Sequence, residues 1–582
     1  MHAPRDGFIL LIGCTDSPPG SGETLVTLAG RYLGHDLQSL HVDDLTVVVA
    51  GATALHQQDG MLRLAHGSAA RDVASPALYS EWRDAQEGGF AVVQADRRPG
   101  APHIAELRVA RDRFGAVPVY IRRVGDGIAV STSRRLLRAA FGASEPDPLA
   151  LLEAVRFRWQ SGRRTLDRDT SQLAPGEELV WRGLGSPLEV TRWARLSFVA
   201  EGPADLSVQS DRLRTSLADA VAAHLAGSTR PAILLSGGVD SSVVAAVARE
   251  IRPDVHCYIG QVTGADGAEE LRRARFVARH LGLPLTEVPI DPERFESDLL
   301  RVVDLLEEPP RNPNNLVLLQ LYEAMHRDGV DCVLNGDGAE MLLGLADTER
   351  VARFVAKTRR VSLVPSAIRV GVARALRQLD HSAAWRLATV LDTPRADFAA
   401  ALDELAYPPS VRRALRGWMA DVTGDRGCPW VSLLQTPSDR HAFDDALHEF
   451  QCFTVLLSSQ RRHESLARAV GIEAATPFTH RSVRQFATEL PRALRYTHRS
   501  RPVLKHLCDT LIHPDVANWP KLGFSVPWHT WLDRQLAARL AEAREATSAG
   551  EGLPGALRAL VPIEESPEWR WTVLTLHLAR LP

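Results

Sequence analysis

A chain of 582 residues with a 45% apolar and a 24% charged share is an ordinary globular protein, too long for one domain and too apolar to be disordered or fibrous. Its formal net charge of −3 says little about partners, and six cysteines without a Cys-x-x-Cys pair argue against a disulfide framework or a zinc site. A reducing cytoplasm fits that cysteine usage, and neither a nucleic-acid nor a membrane partner is expected.

The first apolar run, residues 8–13, is too short for a secretory core or a membrane span and reads as a strand. Up to about residue 195, short apolar stretches such as 45–50, 90–94 and 128–131 are punctuated by Gly, Pro and Asp, which predicts a β-rich half. Gly202 and Pro203 mark a linker around 197–205. From about residue 205 the pattern changes. A helix at 211–225 and a strand at 232–235 open a series of apolar strands alternating with long amphipathic stretches, which predicts a parallel sheet with crossover helices. Residues 345–441 are rich in Ala, Leu and Arg, with Arg353, Lys357, Arg359, Arg360, Arg369, Arg374 and Arg377 close together, and read as helical.

The most informative residues follow the strand at 232–235: Ser236-Gly237-Gly238-Val239-Asp240-Ser241-Ser242, then an apolar helix. Glycines let backbone approach a phosphate, and a helix starting near Ser241 points its unpaired N–H groups and positive dipole end at the anion. Ser236, Ser241 and Ser242 add hydroxyl donors. Asp240 repels bare pyrophosphate unless a magnesium ion lies between them, so Mg²⁺ is implied. Neither the Gly-Lys-Ser/Thr ending of a Walker A loop nor the Gly-x-Gly-x-x-Gly of dinucleotide binders is present. The loop resembles the Ser-Gly-Gly-x-Asp-Ser of the PP-loop ATP pyrophosphatases, which cleave ATP between its α- and β-phosphates.

A second strand ends in Asn335-Gly336-Asp337-Gly338-Ala339-Glu340. Ligands in open α/β sheets bind at the carboxyl ends of strands, so two such turns can face one crevice. The pair resembles the class-B asparagine synthetases and their relatives. That resemblance implies ATP as cosubstrate, Asp337 as the group that holds or deprotonates the attacking amine, and Asp240 and Glu340 as magnesium ligands. It also implies an adenine pocket of Leu235, Ile259 and Gly260 closed by Asn335 and Gly336. Glu340 departs from the shorter Asp of the family, and Met341 from its Glu. Asn518-Trp519-Pro520-Lys521-Leu522-Gly523-Phe524 is similar to the family's Arg-x-Lys-x-Gly-Phe segment, implying that Lys521 steadies charge on the α-phosphate and tetrahedral intermediate, with Trp519 in place of the arginine. In Glu473-Ala-Ala-Thr-Pro477-Phe478-Thr-His480, Ala475 and His480 replace an Arg and an Asp.

Asp112-Arg-Phe114-Gly115, Ser131-Thr-Ser133 and Leu173-Ala-Pro175-Gly176 resemble the family's N-terminal glutamine amidotransferase domain. The expected fold class is therefore α/β: a four-layer αββα Ntn-hydrolase-like domain over 1–197, then a PP-loop, adenine nucleotide α-hydrolase-like parallel-sheet domain over 205–582 with the helical region 345–441. His2 stands where that domain needs a cysteine, and Cys14 lacks the terminal amine, so glutamine hydrolysis is not expected. The resemblance then points to lasso-peptide macrolactam cyclases, which join a peptide's N-terminal amine to an Asp or Glu side chain. It would bring a precursor core peptide as substrate, with a leader-peptide recognition protein and a leader peptidase as partners. A β-lactam-synthetase-like or ammonia-dependent asparagine-synthetase-like ligase, and a non-catalytic ATP-binding scaffold, are the alternatives.

Overall fold

The structure is a computed structural model that describes residues 6–344, 363–392 and 452–580, apart from 14–23, 34–36, 43, 52, 98–102, 158–161, 199–200, 263–264, 312, 380, 496, 498–499, 521, 523–525 and 550–566. Most of the Arg-rich region 345–441 thus lies outside the described residues. Its described part holds the helices Ser366–Leu376 and Ser382–Asp392, as its composition predicts.

The first half contains two six-stranded antiparallel sheets. One runs β10 (Thr170–Gln172), β8 (Tyr120–Val124), β9 (Gly127–Ser131), β1 (Gly7–Ile12), β3 (Leu45–Ala50), β2 (Leu37–Val42). The other runs β12 (Glu189–Arg192), β11 (Glu177–Trp181), β7 (Ile104–Arg111), β6 (Phe90–Arg97), β5 (Met61–Gly67), β4 (Thr53–Gln58). The unbroken apolar sequence of β1 reflects a strand covered on both faces. Phe8, Leu10 and Ile12 meet Val47, Val93, Val109 and Leu179 between the sheets. The alternate residues Ile9 and Leu11 meet Leu28 of α1 (Leu25–Leu33) and Leu136 and Leu137 of α3 (Arg134–Phe141). On the far side, Tyr79 and Trp82 of α2 (Tyr79–Ala85) cover Phe90, Val92 and Ala110. The order helix, sheet, sheet, helix is the expected αββα arrangement.

The second half is built on a five-stranded sheet in the order β15 (Leu285–Pro289), β14 (His256–Gln261), β13 (Pro231–Leu234), β16 (Cys332–Leu334), β17 (Glu473–Ala475), with every pairing parallel. Alternate residues feed separate cores. Ile233, Cys257 and Leu334 pack on α5 (Leu206–Leu225) and α6 (Val239–Ile251), while Ala232, Tyr258 and Val333 pack on α8 (Phe295–Leu306) and α9 (Asn314–Arg327). The chain builds β13, β14 and β15 outward, then returns to lay β16 and β17 on the other side of β13. The strand order reverses between β13 and β16, and the crevice of such a sheet opens at that point, beyond the carboxyl ends of the two strands.

Cys257, Cys332, Cys452 and Cys508 are buried free thiols. Burial pushes Cys257, Cys332 and Cys508 up to about 12, so they stay protonated at neutral pH. Cys14 and His2 lie outside the described residues. No helix among the described residues is long and apolar enough to cross a membrane.

Candidate active site

Both glycine-rich turns predicted from sequence emerge at this reversal point. Leu235 to Gly238 link β13 to α6, whose first residue is Val239, two residues before the expected start, so Asp240 lies in the first turn. An acid there is favoured by the positive end of the helix. Gly237 has φ +73°, and a Cβ on it would stand 2.6 Å from the backbone of Arg273 and Ala274 in α7 (Ala265–Leu281). Only glycine fits both the conformation and the space. Ser241 Oγ accepts from Ser236 N at 3.2 Å and lies 3.0 Å from Ser236 Oγ, which shapes the loop around the helix start. The hydroxyl of Ser242 is fully buried and has no hydrogen-bond partner among the described residues.

The second turn lies directly on the first. A Cβ on Gly336 would stand 2.7 Å from Ser241 N and 3.0 Å from the Asp240 carbonyl carbon. Asn335, 2% exposed, fastens the end of β16 to β17: its Nδ2 donates to Ala475 O at 3.1 Å and Thr476 Oγ1 at 3.0 Å, and its Oδ1 accepts from Asp337 N at 3.0 Å. Asp337 Oδ2 takes three donors from a single face of the helix Leu457–Arg468: Ser459 Oγ, Arg462 Nη2 at 3.0 Å and His463 Nε2 at 2.8 Å. The i, i+3, i+4 spacing of 459, 462 and 463 puts them on one stripe. Burial works against its charge, but Arg462, His463 and Ser459 hold the Asp337 carboxyl far below the usual carboxylate range.

A cavity of about 250 Å³ opens between the two turns. Of the residues predicted from sequence, Leu235, Ser236, Asp240, Ser241, Ile259, Gly260, Asn335, Gly336 and Asp337 line it. Gly237, Gly238, Ser242 and Glu340 are not among its lining residues, and Lys521 lies outside the described residues. A further part of the cavity wall comes from Asn314, Val317, Leu318 and Leu321 of α9, which no sequence motif marks. A Cβ on Gly260 would come within 3.1 Å of Val317 Cγ1, so this glycine lets α9 close over the strand end.

Asp240 pairs with Arg501, a buried residue in the left-handed region (φ +53°) just before the helix Pro502–Leu511. Burial disfavours its charge, but the fields of Asp240 and Glu340 raise the Arg501 guanidinium above its ordinary range. The two carboxylates assigned to magnesium therefore share one cationic neighbour. One or two carboxylates beside phosphate oxygens is a donor set that suits Mg²⁺. Among the described residues no cluster of three or more His, Cys, Asp or Glu could hold a metal by itself.

Trp519 stands where the motif predicts an arginine, and two arginines of α7 lie against its ring. The guanidinium of Arg273 lies 5.1 Å and that of Arg272 5.6 Å from the Trp519 ring, and Arg273 Nη1 donates to Pro520 O at 2.7 Å. Because Gly237 abuts Arg273, this clip ties the segment before Lys521 to the phosphate loop. His480 acts locally, where its Nδ1 caps the helix Arg481–Glu489 by accepting from Ser482 N at 3.4 Å.

The asparagine synthase family model matches residues 212–579, more than half of the chain. Asparagine synthetase [glutamine-hydrolyzing] 1 of Bacillus subtilis is 23% identical over 73% of this chain and 66% of its own length. A putative asparagine synthetase [glutamine-hydrolyzing] of Mycobacterium tuberculosis is 25% identical over the same shares. The chain thus spans a little under two thirds of the length of these two relatives. Carboxyethyl-arginine β-lactam synthase of Streptomyces clavuligerus is 29% identical over 40% of this chain and 44% of that protein.

Proposed function

We propose, because the chain belongs to the asparagine synthase family, that it is an ATP-dependent ligase that activates a carboxylate as an acyl-adenylate and passes it to an amine, releasing AMP. The observation that supports this most strongly is the meeting of two glycine turns at the reversal point between β13 and β16. One presents a helix start with serine hydroxyls, and the other presents a clamped carboxylate across the same cavity.

In the first step a substrate carboxylate oxygen attacks the α-phosphorus and pyrophosphate leaves. The N–H groups at the start of α6 and the Ser236 and Ser241 hydroxyls receive the departing charge. Asp240 and Glu340 would hold magnesium, which neutralises triphosphate charge when bound. In the second step the amine attacks the acyl carbon, the C–O bond to AMP breaks, and amide, AMP and one proton result. Asp337, kept ionised by three donors, is suited to accept a hydrogen bond from the amine and orient it more than to take its proton outright. Lys521 is proposed to steady the tetrahedral intermediate.

We further propose that the carboxylate and amine belong to one peptide, so that the product is a macrolactam. The stretch 345–441 inserted between β16 and β17 and an Asp at 337 where β-lactam-type relatives place Tyr support this reading. A leader-peptide recognition protein and a leader peptidase would be its partners. Similarity to a β-lactam synthase supports ring closure on a small molecule instead.

Pyrophosphate release from Mg²⁺-ATP distinguishes these readings when measured with linear peptides carrying a free N-terminal amine and an Asp or Glu, with aspartate plus ammonium, and with buffer alone. Release that needs the peptide, with a product lighter by one water, establishes the cyclase. Release with aspartate establishes a synthetase, and no release with any carboxylate removes the ligase reading.

A further inference from the structure

We propose that His463 and Tyr322 are positioning residues for the amide-forming step, holding Asp337 as an ionised, oriented acceptor for the attacking amine. This rests on the ligase reading above and deepens it. The chemistry of the three groups decides which of them donates. An ionised carboxylate offers only lone pairs, so the hydrogen in the 2.8 Å contact between His463 and Asp337 sits on Nε2. Nδ1 is then the acceptor, and its partner is the Tyr322 hydroxyl. Tyr322 is fully buried, and burial pushes its phenol well above the ordinary range, so it keeps a hydrogen to give. The imidazole is thereby fixed in one neutral tautomer with its N–H on Asp337. The same logic orients the histidine of a hydrolase triad through the bond made by its second nitrogen.

The surroundings of the ring favour that state. Burial is the largest influence and disfavours imidazolium, Asp337 opposes it, and Arg462 on the same helix adds to it, with a net direction downward. His463 also forms part of the wall of a second cavity of about 560 Å³ between the two halves, and among the described residues it alone lines both. The charged groups lining that second cavity are mutually paired: Glu464 with Arg468, Glu473 with Arg71 at 2.9 Å, Asp6 with Arg468 at 3.9 Å, and Glu87 with Arg481 at 3.6 Å. Asp331 there is capped by Thr229 N at 2.7 Å. The ring is therefore neutral at pH 7 and gains a proton only below the ordinary histidine range. Once it does, Nδ1 becomes a donor, the Tyr322 hydrogen must turn away, and Asp337 faces two full cations instead of one. Its pull on the amine then weakens.

The test uses His463→Gln, His463→Phe and Tyr322→Phe in the full chain, with a linear peptide bearing a free N-terminal amine and one glutamate as the probe. ATP–pyrophosphate exchange reads adenylation, and amide formation reads the second step. Exchange is expected to fall less than amide formation in His463→Phe and Tyr322→Phe, because both side chains act on Asp337 and neither bonds the phosphate loop. Amide formation should fall about 10- to 100-fold in His463→Phe, the size of a lost hydrogen bond to a charged group, and about 3- to 10-fold in Tyr322→Phe. His463→Gln keeps an N–H donor and should recover most of the rate without titrating. The ratio of wild type to His463→Gln should therefore hold level from about pH 8 down through the ordinary histidine value of about 6.5 and fall only at lower pH, since the amine titrates in both and the imidazole only in wild type. A flat ratio, or exchange that falls in step with amide formation in every variant, overturns the proposal. Wild-type protein that shows no exchange removes the ligase reading, and this inference with it.

Discussion

At the scale of single residues, Gly237 and Asp240 carry the sharpest expectations. Gly237→Ala places a Cβ at φ +73° and 2.6 Å from α7 backbone, so both strain and collision act. It should cost about 1–3 kcal/mol of stability and displace the phosphate loop, read as a lower midpoint in chemical denaturation together with loss of pyrophosphate release. Asp240→Asn removes a charge without changing shape. It is expected to lower pyrophosphate release at least about 100-fold while the thermal midpoint moves only a few degrees. Nine of the residues read from sequence line the cavity because their motifs are contiguous and their chemistry is local. The clamp on Asp337 was not legible: Ser459, Arg462 and His463 sit in a run, Ser459-Gln-Arg-Arg-His-Glu464, that reads as a solvated helix face. Arg501 reads as one more arginine in a charged turn. Only the pairing of elements more than 100 residues apart gives these groups their partners.

Among elements, strands announced themselves through apolar runs. The stretches at 45–50 and 128–131 became β3 and β9 with boundaries within one residue, and 90–94 formed the start of β6. The helix expected at 211–225 begins at Leu206 because Asp205 caps it, accepting from Val208 N at 3.0 Å. That cap sits inside the stretch whose Gly202 and Pro203 look like linker. The clip between α7 and the segment before Lys521 was also hidden, since Trp519 registered only as a departure from a motif. Trp519→Ala removes the surface on which Arg272 and Arg273 lie, and should lower the rate of amide formation about 10-fold or more through loss of loop position. Its effect on stability should be about 1–3 kcal/mol, since Trp519 is half-buried against the core and Phe276 as well as against the two arginines. A fall in thermal midpoint that accounts for the whole activity loss would contradict that division.

For the whole molecule, the strand order places the reversal point, and with it the crevice, where both motifs end. Neither motif alone specifies that they face one another. The two halves are joined by buried polar contacts that composition does not reveal. Glu307, in the left-handed region at φ +53°, accepts from Ser133 Oγ and Arg134 N, each at 2.6 Å, and so caps α3 of the first half from the end of α8 in the second. Arg461 reaches from the helix that clamps Asp337 to the Tyr120 hydroxyl and donates to Leu306 O at 2.9 Å. Glu307→Ala should cost about 2–4 kcal/mol by leaving buried N–H groups unpaired, seen as a lower denaturation midpoint for the chain.

The measurement closest to the proposed chemistry is the identity of the nucleotide product when α-labelled ATP is turned over with the carboxylate substrate. AMP and pyrophosphate are expected, each equal in amount to the amide formed, and each at least about 100-fold less from Asp240→Asn. ADP and phosphate as products, or undiminished turnover in that variant, would contradict an acyl-adenylate mechanism at this site.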